Sequence, residues 1–74
     1  GEFLDIGCGS GGNIERAAPR LRGAGIEIDA QAAAQARRIA GALGGRVIQA
    51  DALSGLPQID GESFDAVMMR AFLE

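Results

Sequence analysis

Histidine, tryptophan and tyrosine are absent from this 74-residue chain, and cysteine occurs once. A single cysteine cannot close an internal disulfide and suits a reducing compartment, so a cytoplasmic setting is expected. Without histidine, that lone cysteine does not make a metal site. Long apolar runs are also missing. Nothing approaches the roughly 20 consecutive apolar residues that a membrane helix needs, so no membrane partner is expected. No basic leader precedes an apolar stretch, so no signal peptide is visible. Positive charge is scarce: seven basic residues face ten acidic ones, for a net charge of −3. That balance opposes a nucleic-acid surface, which is usually basic. What is present is globular in character. Apolar residues make up 47% of the chain, enough for one small domain or part of a larger one.

The chain reads as alternating strands and helices. Glu2 to Ile6 is an apolar strand. Gly11 to Ala18 is a short helix, with Pro19 as a stop signal beyond it. Gly23 to Ile28 is a second strand despite its glycines. Asp29 is placed to cap the helix Ala30 to Leu43, which is rich in alanine. Its apolar face is Ala33, Ala36, Ile39, Ala40 and Leu43, and Gly44-Gly45 ends it. Arg46 to Ala50 is a third strand, Asp51 to Ser63 a loop with room for a turn or short helix, and Phe64 to Met69 a fourth strand. This alternation predicts an α/β fold, a parallel sheet with helices on its faces and the first strand central. The chain starts within the first strand and stops just after an apolar run, so a fragment of a larger fold is expected.

In such a sheet, ligands sit beyond the carboxyl ends of the strands. The first strand ends in Gly7-Cys8-Gly9-Ser10-Gly11-Gly12. Glycines there let a ligand approach the main chain. The same residues satisfy both G-x-G-x-x-G and G-x-G-x-G, so the glycines do not separate a dinucleotide from other nucleosides. Three acids discriminate better. Asp5 stands two residues before Gly7 and would repel a pyrophosphate. Two unit charges about 4 Å apart interact by roughly 4 kcal/mol at an effective dielectric near 20. A ligand carrying an ammonium or a sulfonium would instead be favoured; the structural alternative is a carboxylate that accepts N–H bonds from its own glycine loop, and both roles are compatible. Glu27 follows Gly7 by twenty residues, the spacing of an acid that grips ribose hydroxyls. Asp29 competes for that role but suits the helix cap better. Asp51 ends the third strand, where it can accept from an exocyclic amine while the Ala52 N–H faces a ring nitrogen; local turn formation is the structural alternative. Cys8 reads as a small residue filling a tight loop rather than a nucleophile.

Together these segments resemble the class I S-adenosylmethionine-dependent methyltransferases, and the likeness covers nearly the whole chain. Leu4-Asp5-Ile6-Gly7-Cys8-Gly9-Ser10-Gly11 is similar to the first motif of that family, and Gly25-Ile26-Glu27-Ile28-Asp29 to its second-strand motif. Ala50-Asp51-Ala52, Leu56-Pro57 and Ser63-Phe64-Asp65-Ala66-Val67 look like the later motifs of its small-molecule branch. The resemblance implies a Rossmann-like three-layer fold of which this chain supplies about four of seven strands. It implies S-adenosylmethionine as cofactor and a small-molecule substrate, with no nucleic acid. Its cofactor-binding residues would be Asp5, Gly7, Cys8, Gly9, Gly11, Glu27, Ile28, Asp51 and Ala52. Met69 or Arg70 would lie beside the methionine end. The Asn/Asp-Pro-Pro-aromatic motif of enzymes that methylate DNA amino groups is absent, and Met68-Met69-Arg70-Ala71 stands in its place. No residue offers itself as a catalytic base. The competing expectations are an NAD-binding domain of an oxidoreductase and a non-catalytic nucleotide-binding module. The oligomeric state is unknown from the residues.

Overall fold

The computed structural model describes residues 1–59 and 64–69. Its elements run β1 (Glu2–Ile6), α1 (Gly12–Ala17), β2 (Arg22–Glu27), α2 (Ala30–Ala42), β3 (Arg46–Gln49), α3 (Ala52–Gly55), a 3-10 turn (Leu56–Ile59) and β4 (Ala66–Met69). The four strands form one parallel sheet in the order β3-β2-β1-β4. β1 is therefore interior, as the alternation predicts. The stretch 51–63, expected as a loop, holds a helical turn and the 3-10 turn in its described part. Each strand and helix otherwise agrees with expectation to within a residue or two. β4 begins two residues later than predicted, and Asp65 just before it fastens its start to β1. The Asp65 side chain accepts from the Glu2 N–H at 2.7 Å, and its own N–H donates to the Glu2 carbonyl at 2.8 Å.

Alternation along β1 divides the core between the two faces of the sheet. Phe3 joins Cys8, Ile14 of α1, the alanine face of α2 and Val47. Leu4 and Ile6 join Ala24, Ile26 and Ile59 on the opposite face. The glycines of β2 have a packing reason. A Cβ at Gly23 would stand 2.6 Å from Ile14 Cγ2, and one at Gly25 would stand 2.7 Å from Cys8 Sγ. Bare backbone at both positions lets α1 and the glycine loop lie against the sheet.

Asp29 caps α2 as expected, its Oδ2 accepting from the Ala32 N–H at 2.8 Å. Asp29→Ala is expected to lower stability by about 1 kcal/mol, the ordinary loss for such a cap. Urea unfolding of the full-length protein checks this, and an unchanged midpoint would refute it. The outer strand β4 presents Val67, Met68 and Met69 as exposed apolar side chains. No helix of the described residues is long and apolar enough to cross a membrane.

Candidate functional site

The glycine loop owes its path to three left-handed residues. Gly7, Gly9 and Gly11 have φ of 77°, 57° and 97°. Side chains rarely adopt this region, so glycine is what makes the loop feasible here. The loop is pinned to the neighbouring strand, since the Gly7 and Cys8 N–H groups both donate to the Ile26 carbonyl, at 2.7 and 3.1 Å. Cys8 is fully buried in the core. It fills space beneath the loop, in keeping with its reading as a packing residue.

The ends of β1, β2 and β3 enclose a cavity of about 330 Å³. Five of the residues singled out from sequence line it: Gly7, Glu27, Ile28, Asp51 and Ala52. Ile26, Ala50 and Leu53 complete the wall. Leu53 was missed because it falls in the stretch read as a loop. Among the described residues it is the most exposed of the large apolar side chains, at 87%, and Ile28, which also lines the cavity, is 65% exposed. Two apolar side chains left this open at one cleft are a signal for a ligand surface. A larger depression of about 660 Å³ lies between α1 and α2, around Pro19, Ile39 and Leu43. None of the predicted site residues borders it.

The two acids of the cavity are already engaged with the backbone. Glu27 Oε1 accepts from the Gly9 N–H at 2.7 Å, and Oε2 accepts from the Asp29 N–H at 3.0 Å. Asp51 Oδ1 accepts from the Ser54 N–H at 2.7 Å, capping α3. The turn-forming role weighed for Asp51 is thus observed, at a residue that also lines the cavity. The Ala50 N–H donates to the Glu27 carbonyl at 3.0 Å, which ties the third strand tip to the second.

The third acid is elsewhere. Asp5 is fully buried, and alternation along β1 sends it to the Phe3 face. It does not line the cavity, so two of the three carboxylates share the cleft rather than all three. Met69 stands opposite Ile6 on β4, 60% exposed and outside the cavity lining. Arg70 lies outside the described residues. No cluster of three potential metal ligands occurs among the described residues.

The residues present suit a nucleoside without phosphate better than a dinucleotide. Among the described residues the lining contains two acids and no basic side chain, and those acids oppose a pyrophosphate. A carboxylate offers acceptors for a diol, and the paired Ile28 and Leu53 offer apolar surface for a flat base.

The comparisons with known proteins agree. Solved structures share the fold, these three among them. A SAM-dependent methyltransferase from Thiobacillus denitrificans, in complex with S-adenosyl-L-homocysteine, is 30% identical with a TM-score of 0.72, the match covering 92% of this chain and 29% of that one. An RNA methyltransferase from Salinibacter ruber, also with S-adenosyl-L-homocysteine, is 32% identical with a TM-score of 0.67, covering 90% and 45%. A variant of MtNAS in complex with S-adenosylmethionine is 26% identical with a TM-score of 0.64, covering 99% and 29%. The chain thus spans less than half the length of each. No curated protein sequence matches it. The sequence family described as a methyltransferase domain matches residues 3–74. With its parallel sheet, its glycine loop and nearly its whole length accounted for by that match, the chain belongs to the methyltransferase domain family.

Proposed function

We propose that this chain forms the S-adenosylmethionine-binding part of a methyltransferase, within a domain longer than the chain itself. The observation that carries the reading is the cavity's charge. Among the described residues, Glu27 and Asp51 line it and no basic side chain does. Such a site favours a cationic nucleoside and disfavours the phosphates of NAD. The cofactor, when bound, supplies a methyl carbon attached to positive sulfur.

The chain's own residues would divide the binding work. Glu27 would hold the ribose hydroxyls. Asp51 and the Ala52 N–H would meet the amino edge of adenine, with Ile28 and Leu53 against its faces. Gly7, Gly9 and Gly11 would leave room for the methionine part, with Met69 and Arg70 nearby. Asp5, being fully buried, fits an ordering role beneath the loop better than ligand contact. Catalysis would then be alignment of the acceptor and exclusion of water, worth about 7–11 kcal/mol when geometry is well held.

The acceptor we propose is a small molecule. The net charge of −3 and the acids at the strand tips give a polyanion little purchase on these residues. The Salinibacter ruber neighbour is an RNA methyltransferase, so methyl-transfer assays on both RNA and small acceptors are the direct comparison. A cytoplasmic setting belongs to the same proposal, supported by a cysteine count of one, which closes no disulfide within these residues.

Titration of the full-length protein with S-adenosylhomocysteine and with NADH tests the cofactor. We expect S-adenosylhomocysteine to bind at least about tenfold tighter, a difference of roughly 1.4 kcal/mol. Tighter binding of NADH would overturn the reading in favour of a dinucleotide domain.

A further inference from the structure

Glu27 ties the glycine loop to the junction between β2 and α2. Its Oε1 takes the Gly9 N–H at 2.7 Å, in the loop after β1, and its Oε2 takes the Asp29 N–H at 3.0 Å, at the cap of α2. One carboxylate therefore joins the glycine loop, the end of β2 and the start of the following helix. The loop needs such a tie. Gly9 sits in the left-handed region between two further left-handed glycines, and glycine loses more backbone freedom on ordering than any other residue. Hydrogen bonds from backbone N–H groups to a carboxylate are about twice as strong as neutral ones.

We propose that Glu27 is a positioning residue for the glycine loop: it latches Gly9 and so presets the backbone that the cofactor meets. This goes beyond a grip on the ribose. Each carboxylate oxygen has two lone pairs, so ribose hydroxyls join the two N–H groups instead of displacing them. The ligand then completes a network the chain has already built, and less ordering remains to be done on binding. The coupling to the ribose rests on the cofactor reading above; the latch itself rests on the two hydrogen bonds.

Two measurements on the full-length protein separate these parts. The first is amide hydrogen exchange at Gly9 without added nucleoside. In Glu27→Ala the Gly9 amide is expected to exchange at least about tenfold faster, the change expected from losing a hydrogen bond to a charged group. Glu27→Gln keeps one acceptor oxygen and is expected to fall between. Leu4 and Ile26 amides, in the strand interiors, should keep their protection in the Gln variant. Gly9 exchange unchanged in both variants would overturn the latch. The second measurement compares S-adenosylhomocysteine with its 2′,3′-dideoxy analogue. A latch predicts that Glu27→Ala weakens both ligands, the dideoxy compound by a few-fold. If the dideoxy compound binds both proteins equally, Glu27 acts on the ribose alone and the latch is wrong while the cofactor reading stands. If the unsubstituted protein binds neither ligand, the cofactor reading fails, and the Gly9 amide alone judges the latch.

Discussion

Glu27→Ala is expected to weaken S-adenosylhomocysteine binding by about 30- to 1,000-fold, the largest effect of any single substitution in the cavity. The size follows from what the side chain does. Hydrogen bonds to a charged acceptor contribute about 1.5–3 kcal/mol each, and the proposed contact with a ribose diol involves two. Allowing for partial recovery by water leaves about 2–4 kcal/mol, which sets the fold-change through 1.4 kcal/mol per decade. Asp51→Ala is expected to cost less, because part of that carboxylate's work is the cap on α3 and the Ala52 N–H would persist. Isothermal titration of the two variants beside the unsubstituted protein gives the comparison. Equal affinities for Glu27→Ala and the parent would remove the ribose from this site and, with it, the reason for placing a nucleoside here.

Ile14→Ala is expected to lower stability by about 2–5 kcal/mol, the range for deleting a buried isoleucine to its Cβ. Folded domains have about 5–15 kcal/mol in all, so the substitution removes a large share. Ile14 is the buried residue of α1 and is wholly inaccessible. The hollow in β2 is shaped around it: a Cβ on Gly23 would lie 2.6 Å from its Cγ2, and one on Gly25 would lie 3.0 Å from its Cδ1. With glycines on the receiving strand, no neighbouring side chain there can swing in to fill the space. The cost should therefore fall towards the upper half of the range. Because α1 leaves directly from the glycine loop, the same variant is expected to lose cofactor affinity as the loop loosens. Urea unfolding followed by far-ultraviolet circular dichroism measures the first effect. A loss under about 1 kcal/mol would show that the helix is held by something other than this contact.

Some of the site was legible from residue spacing because the chemistry there is local. The twenty-residue step from Gly7 to Glu27 is one strand-helix-strand unit long, so it brings the acid to the tip of the adjacent strand whatever packs around it. Asp29 before an alanine-rich run announces a cap through its own backbone neighbours. Ile28 and Ala52 follow from standing next to those acids. Leu53 carried no such sign, because an apolar residue within a presumed loop has no periodicity to read. Its place on the cavity comes from the single turn of α3. Asp5 shows the converse. Spacing put it at the first strand's tip, but the two-residue alternation of β1 sends its side chain to the helix-covered face. The glycines of β2 looked like weakness in a strand and are instead the seat of Ile14.

The order of strands and helices and the helix caps were set by interactions between residues close in the chain, and such terms act before any tertiary packing exists. Which carboxylates share the cleft, which lone pairs the backbone already uses and which apolar side chains face the cavity required the assembled sheet. Those outcomes depend on strands brought together from distant parts of the sequence, where the face a side chain takes is decided by what its neighbours leave unfilled.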